Sequence, residues 1–247
     1  MIEHDGRRYR LFEHDGTALI CGGIGAQAAR RATEAVIVEV QPEIVVSAGF
    51  AGSLDHSLKV GQIFEPGTVI NSADGVRTQI SRSPVESCTG SLVTATAIAG
   101  NDQKARLAKA YGAQAVDMEA AAVAQGAQAR SVAFGALKAI SDDFDFNLPD
   151  MHPFVTTDGS FRTLKFVSHV ALRPWLWAST VMLARNSSKA SHALCNALVT
   201  RIRRSSNEDD RVFSAESFAP MLNPTKDGSK YAGGHTRAGI EVHTEGK

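Results

Sequence analysis

The sequence predicts an α/β chain: a single-domain three-layer α/β/α fold with a mixed, mostly parallel central sheet. Three observations carry this. Residues 17–21, 22–25, 26–40 and 44–52 read in order as strand, glycine turn, small-residue helix, and a second strand closing on a second glycine turn. That order is the signature of parallel βαβ units. Two later apolar runs, 114–117 and 132–140, end abruptly in carboxylates. In an open α/β sheet, strands deliver their last residues into the ligand crevice. Finally, 247 residues are enough for one large α/β domain with a sizeable core.

Each element has a local reason. Residues 17–21 alternate as a short buried strand, and Gly22, Gly23 and Gly25 make the turn after it. In helix 26–40 Arg30, Arg31 and Glu34 face outward, and Pro42 ends it. Residues 60–64 and 68–70 are strands joined by Glu65-Pro66-Gly67, and 75–83 is a polar hairpin or loop. A strand with threonines, 92–97, precedes helix 102–111, capped by Asn101 or Asp102. Strand 114–117, an alanine-rich helix 119–130 and strand 132–140 complete the core. Residues 142–157 read as a loop, 161–185 as a helix kinked or split by Pro174, and 188–204 as a second helix. The domain therefore spans residues 1–204. Residues 205–247 are polar, glycine-rich and poor in aliphatics, so a disordered tail is expected.

Charge and cysteine usage exclude several function classes. The 26 basic and 26 acidic residues balance, so neither nucleic acid nor an anionic membrane is an expected partner. Cys21, Cys88 and Cys195 are scattered without metal spacing, and read as reduced thiols of a cytoplasmic protein. Residues 1–10 are polar and charged, so no signal peptide is expected. The most apolar stretch, 167–184, is broken by Arg173, Pro174 and Ser179, unlike a membrane span. No His/Cys/Asp cluster has metal-ligand spacing, so no metal is expected.

The chemistry-bearing candidates are the acids at the strand ends. Asp142, following Ser141, reads either as a turn cap or as a general acid in a crevice. Glu119 opens an alanine-rich helix, where negative charge is favourable for any helix, or it accepts hydrogen bonds from adjacent sugar hydroxyls. Met118 packs on a sugar face or in the core, and Asp117 accompanies them. Gly49, Ala51 and Gly52, with Phe50 between them, allow close backbone approach to a ligand or make a plain tight turn. Gly22, Gly23 and Gly25 suit a nucleophile-side loop whose backbone amides, with those of the second glycine segment, face an anion or a heterocycle edge.

These segments resemble the purine nucleoside phosphorylase / uridine phosphorylase superfamily, and within it most nearly the methylthioadenosine/S-adenosylhomocysteine nucleosidase branch. The resembling pieces are Gly23-Ile24-Gly25, residues 47–54, residues 58–63, Val116-Asp117-Met118-Glu119-Ala120-Ala121-Ala122, and Ala139-Ile140-Ser141-Asp142, in family order. The resemblance implies a nucleoside phosphorylase-like fold, a cytoplasmic homo-oligomer with a dimer favoured, and cleavage of the N-glycosidic bond of a purine nucleoside. Such a reaction would serve purine nucleoside catabolism or methionine salvage. Adenine would leave by hydrolysis without a cofactor. The alternatives are a phosphorylase, including an adenosyl-hopane type, with inorganic phosphate as co-substrate, and an inactive nucleoside-binding homologue. By resemblance Asp142 would protonate or hydrogen-bond a purine nitrogen, and Glu119 would hold the ribose hydroxyls. Met118 would pack on the sugar, and residues 49–52 would line the base or nucleophile side. Two positions depart from the family pattern: Phe50 stands where a small hydroxyl residue is usual, and Ile98 where an aromatic stacks on the base. The family's first strand and its water-activating glutamate have no counterpart in context among Glu3, Asp5 and Glu13.

Overall fold

The computed structural model describes residues 1–81, 90–146, 151–156, 159–216 and 238–243, the last six and residues 204–216 as backbone only. The chain opens with two hairpins. Strands β1 (Ile2–His4) and β2 (Arg7–Tyr9) pair antiparallel across Asp5-Gly6, and β3 (Leu11–His14) and β4 (Thr17–Ile20) across Asp15-Gly16. All four turn residues have positive φ, as a two-residue hairpin connection that matches strand twist requires. Helix α1 (Ala26–Val40) follows. Its buried stripe of Ala28, Ala29, Ala32, Ala35, Val36 and Val40 repeats at helical spacing.

Strand β5 (Ile44–Ser53) continues straight through the glycine segment read as a turn, because β11 pairs with it throughout, with β12 opposite Gly49 and β10 opposite Gly52 on the other edge. Short β6 (Ile63–Phe64), β7 (Thr68–Asn71), β8 (Arg77–Gln79) and β9 (Ser91–Thr94) lead to α2 (Asn101–Tyr111). The N-cap of α2 is Gly100 and makes no side-chain bond, so neither Asn101 nor Asp102 caps it; Asp102 lies inside the first turn. Strand β10 (Ala115–Asp117), helix α3 (Ala120–Ala129) and strand β11 (Ala133–Asp142) complete the centre.

Beyond the centre, a 3-10 turn at His152–Phe154 precedes α4 (Thr163–Ala171). A second 3-10 turn at Pro174–Leu176 feeds α5 (Trp177–Glu216). Pro174 splits the helical run as its missing N–H demands, but no break follows Arg185. Ser187 and Ser188 lie inside one continuous helix, which runs past position 204.

The expected disordered tail is a further difference. Strand β12 (Ala238–His243) lies parallel between β4 and β5, Ile240 opposite Leu19 on one side and Val46 on the other. Its Ile240-Glu241-Val242-His243 run has the period of two that suits a strand. Short length and polar surroundings concealed it.

The principal sheet runs β3-β4-β12-β5-β10-β9-β7-β8, with β11 beside β5 and carrying β6. The core ladders β4-β12-β5-β11 and β10-β9-β7 are parallel, and antiparallel pairs join and edge them. Helices α1 and α3 pack against each other on one face, while α5 covers β11 and β5 on the other. One hydrophobic cluster fills the α1–α3 side; another joins Val46, Leu137 and Ala139 to Ala190 and Leu194 of α5. Cys21 and Cys195 are exposed and neither is in a disulfide; Cys88 lies outside the described residues.

Candidate active site

The carboxyl ends of β4, β5, β10 and β11 converge on a cavity of about 1110 Å³. Asp142 reaches it through a local irregularity. Strand β11 pairs in parallel register with β5 from Ala133 opposite Ile44 to Ile140 opposite Ala51, then shifts so that Asp142 stands opposite Gly52. A bulge re-aims a side chain in this way. Gly52 makes room for it, since a Cβ there would meet Asp142 Oδ2 at 2.8 Å.

The Asp142 carboxylate is buried and doubly held. Lys104 Nζ lies 2.5 Å from its Oδ2 and also donates to the Asp143 carbonyl at 2.7 Å. The Ser141 hydroxyl donates to Oδ1 at 2.7 Å. Lys104 is only 1% exposed although it sits on the polar helix α2. A lysine in such a helix reads as a solvated charge, so no local signal marked it. Burial makes the pair mutually dependent, because either charge left alone there would be uncompensated.

Glu119 approaches from the α3 side. Its Oε1 accepts the Gly25 N–H at 2.8 Å, and its Oε2 accepts the Met118 N–H at 3.1 Å. Gly25 is the N-cap of α1 with φ 91, so the carboxylate also sits at the positive end of that helix. A carboxylate oxygen can accept more than one hydrogen bond, so the two backbone amides fix its position without filling it.

Asp117 also lines the cavity, but both of its carboxylate oxygens have protein partners. Its side chain is fully buried, with Oδ2 accepting from Lys138 Nζ at 2.8 Å and from the Ala120 N–H at 2.9 Å. Its Oδ1 accepts the Thr94 hydroxyl at 2.7 Å. Lys138 also donates to Ser47 at 3.0 Å. This network ties β10 and α3 to β9, β11 and β5, and so fixes the elements bearing Glu119 and Asp142. Asp117 therefore positions the site, its carboxylate being committed to protein partners. Among the described residues, the carboxylates lining the cavity are Asp117, Glu119 and Asp142.

Of the other sequence-selected positions, Met118, Ser141, Phe50, Ala51, Gly52, Ile98, Gly22 and Gly23 line the cavity. Gly49 lies deeper in β5, and Gly25 acts on Glu119 through its amide. The glycine turn is clamped from outside. The Ile24 N–H donates to the Gly159 carbonyl at 2.8 Å, and a Cβ on Gly23 would meet that oxygen at 2.9 Å. Sequence reading missed several lining residues besides Lys104, two groups of them prominent. Arg7, Arg8 and Tyr9 arrive from the N-terminal hairpin, and Phe161, Phe166 and Val167 from the α4 region. The Asp-Gly hairpin signal at Asp5-Gly6 was available for the first group, but its docking beside the glycine turns is tertiary.

A model of the phosphorylase superfamily matches residues 3–89 and 76–161. The chain is 31% identical over 161 residues to a 5′-methylthioadenosine/S-adenosylhomocysteine nucleosidase of Glaesserella parasuis, covering 52% of this chain and 68% of that protein. It is 30% identical over 149 residues to one from Staphylococcus aureus, covering 49% of this chain and 65% of that one. Among solved structures, it is similar to the Helicobacter pylori 5′-methylthioadenosine/S-adenosylhomocysteine nucleosidase with butyl-thio-DADMe-Immucillin-A. There the TM-score is 0.57 at 16% identity, covering 84% of this chain and 87% of that one, a likeness of fold.

Proposed function

Because this chain belongs to the phosphorylase superfamily, we propose that it cleaves the N-glycosidic bond of a purine nucleoside of the 5′-methylthioadenosine/S-adenosylhomocysteine type, releasing adenine. The observation that carries this reading is the pair Glu119 and Asp142, two buried carboxylates from different elements that line one cavity. The relatives' activity and the site's chemistry support the same reaction.

In this reading the C–N bond breaks with its electron pair going to the purine, leaving an oxocarbenium-like ribosyl cation. Asp142 delivers a proton to a ring nitrogen, making the base a better leaving group. The Asp142 carboxylate left behind is held by Lys104 Nζ, and the proton shed by the attacking water restores the acid. Glu119 grips the sugar hydroxyls, and its negative charge stabilises the developing cation. Water then adds to the sugar. A homodimer in the cytoplasm, acting in methionine salvage, belongs to the same proposal.

The Glu119→Gln variant is expected to lower kcat/KM for a ribonucleoside about a hundredfold. The same variant should act on the matching 2′-deoxynucleoside with a much smaller loss. Base release followed by ultraviolet absorbance checks both; an equal loss on the two substrates would remove Glu119 from the sugar.

Phosphorolysis is the second reading, and one observation favours it. Arg7 and Arg8 line the cavity together with Gly22 and Gly23, and a guanidinium beside backbone amides suits an oxyanion. Assays with and without inorganic phosphate separate the readings. Hydrolysis predicts free sugar at a rate indifferent to phosphate. Phosphorolysis predicts a sugar phosphate and an Arg7→Gln/Arg8→Gln variant whose KM for phosphate rises about tenfold.

A further inference from the structure

The segment comprising α4, the Pro174 turn and the start of α5 carries apolar side chains that no described residue covers. Helix α4 has no buried residue at all. Leu164 is 87% exposed, Leu172 80%, Trp175 73% and Trp177 53%, and Val167, Val181 and Met182 are about half exposed. The three elements pack against one another, so these side chains belong to one region. Isolated exposed apolar residues are ordinary, but this many on adjoining elements mark an interaction surface.

Charge identifies the partner. The chain as a whole is neutral, yet from Gly159 to Asn207 it contains no aspartate or glutamate. Over the exposed apolar region its charged residues are Arg162, Lys165, Arg173 and Arg185. Arg162, Lys165 and Arg185 are exposed, and Arg173 folds back onto His169. We propose that this face docks on an anionic phospholipid surface. The apolar side chains would enter the boundary between headgroups and acyl chains, with the tryptophans at headgroup level and the cations on lipid phosphates. A second copy of the chain fits less well, since a two-fold contact would set these cations against their own copies. No helix among the described residues is long and apolar enough to cross a membrane, so the attachment is peripheral. Balanced totals of charge conceal it, because the acids lie elsewhere in the chain. The face adjoins the cavity, whose wall includes Phe166 and Val167 of α4. The proposal does not depend on the reaction assigned to that cavity.

Trp175 and Trp177 are the two tryptophans of the sequence, so intrinsic fluorescence reports on this face alone. The full chain is mixed at low salt with vesicles of phosphatidylcholine, or of equimolar phosphatidylcholine and phosphatidylglycerol, and followed by tryptophan emission and cosedimentation. The expected result is a blue shift and pelleting with the anionic vesicles, at least about tenfold weaker binding to phosphatidylcholine, and release by added salt. Arg162→Gln/Lys165→Gln and, by sedimentation alone, Trp175→Ser/Trp177→Ser should each weaken binding about tenfold or more while melting as the wild type does. Absence of binding, or equal binding to both vesicles, overturns the proposal. A solution mass of two chains that falls to one in the Trp175→Ser/Trp177→Ser variant would assign the face to a second copy instead, and overturn it equally.

Discussion

Replacing Asp142 by asparagine is expected to lower kcat for purine release about a thousandfold, within the range of a lost general acid. Asparagine keeps the shape, its one carbonyl oxygen can still accept from Lys104 Nζ, and its amide can donate to the Ser141 hydroxyl oxygen instead, but it cannot carry the proton. It also leaves the Lys104 ammonium, 1% exposed, without a countercharge, so a destabilisation of up to about 3 kcal/mol should accompany the lost turnover. The two effects separate in the double variant Lys104→Met/Asp142→Asn. Removing both charges should restore much of the melting temperature and none of the activity. Thermal melts beside base-release kinetics check this. Near-wild-type turnover in Asp142→Asn would dismiss the acid role. Recovery of turnover together with stability in the double variant would show that Asp142 served only to neutralise Lys104.

The second large effect is expected from the far end of the chain. Ending the chain after residue 237 removes β12, which alone joins β4 to β5 in the described sheet. A row of backbone N–H and C=O groups on both neighbours would lose its partners. At about 1 kcal/mol or more for each such group left buried, the loss rivals a typical domain stability of about 5–15 kcal/mol. The shortened chain should therefore show no cooperative thermal transition, or one lowered by more than about 15 °C. Ile240→Pro tests the same ladder in the full chain, because proline removes an N–H from a strand paired on both sides. It should lower the melting temperature in the same direction. An unchanged melt in both variants would return residues 205–247 to the status of a loose tail.

The contrast between these two sites shows where sequence reading reached its limit. Helix α1 was legible to its termini, because a small-residue stripe at helical spacing is a local signal. So was the arrival of Glu119 and Asp142 at strand ends. The continuation of β5 through Gly49–Gly52 was not, because glycine weakens a strand locally and the unbroken ladder with β11 outweighs it. Lys104 and Lys138 were passed over for a related reason. A lysine is assigned to solvent unless its partner is known, and Asp142 and Asp117 are 38 and 21 positions away in sequence. The cationic face escaped notice because a total averages over the chain, whereas a lipid surface would meet one side of it.

The order of helices and strands from β4 to β11, and the residue types that could do glycosidic chemistry, were determined by sequence alone, since periodicity and side-chain chemistry are properties of neighbours along the chain. Tertiary structure decided which charges are paired, which strand fills the slot between β4 and β5, and which apolar side chains stay uncovered. Those outcomes depend on contacts between distant segments, where burial multiplies the energy of each pairing and a local pattern carries no record of the partner.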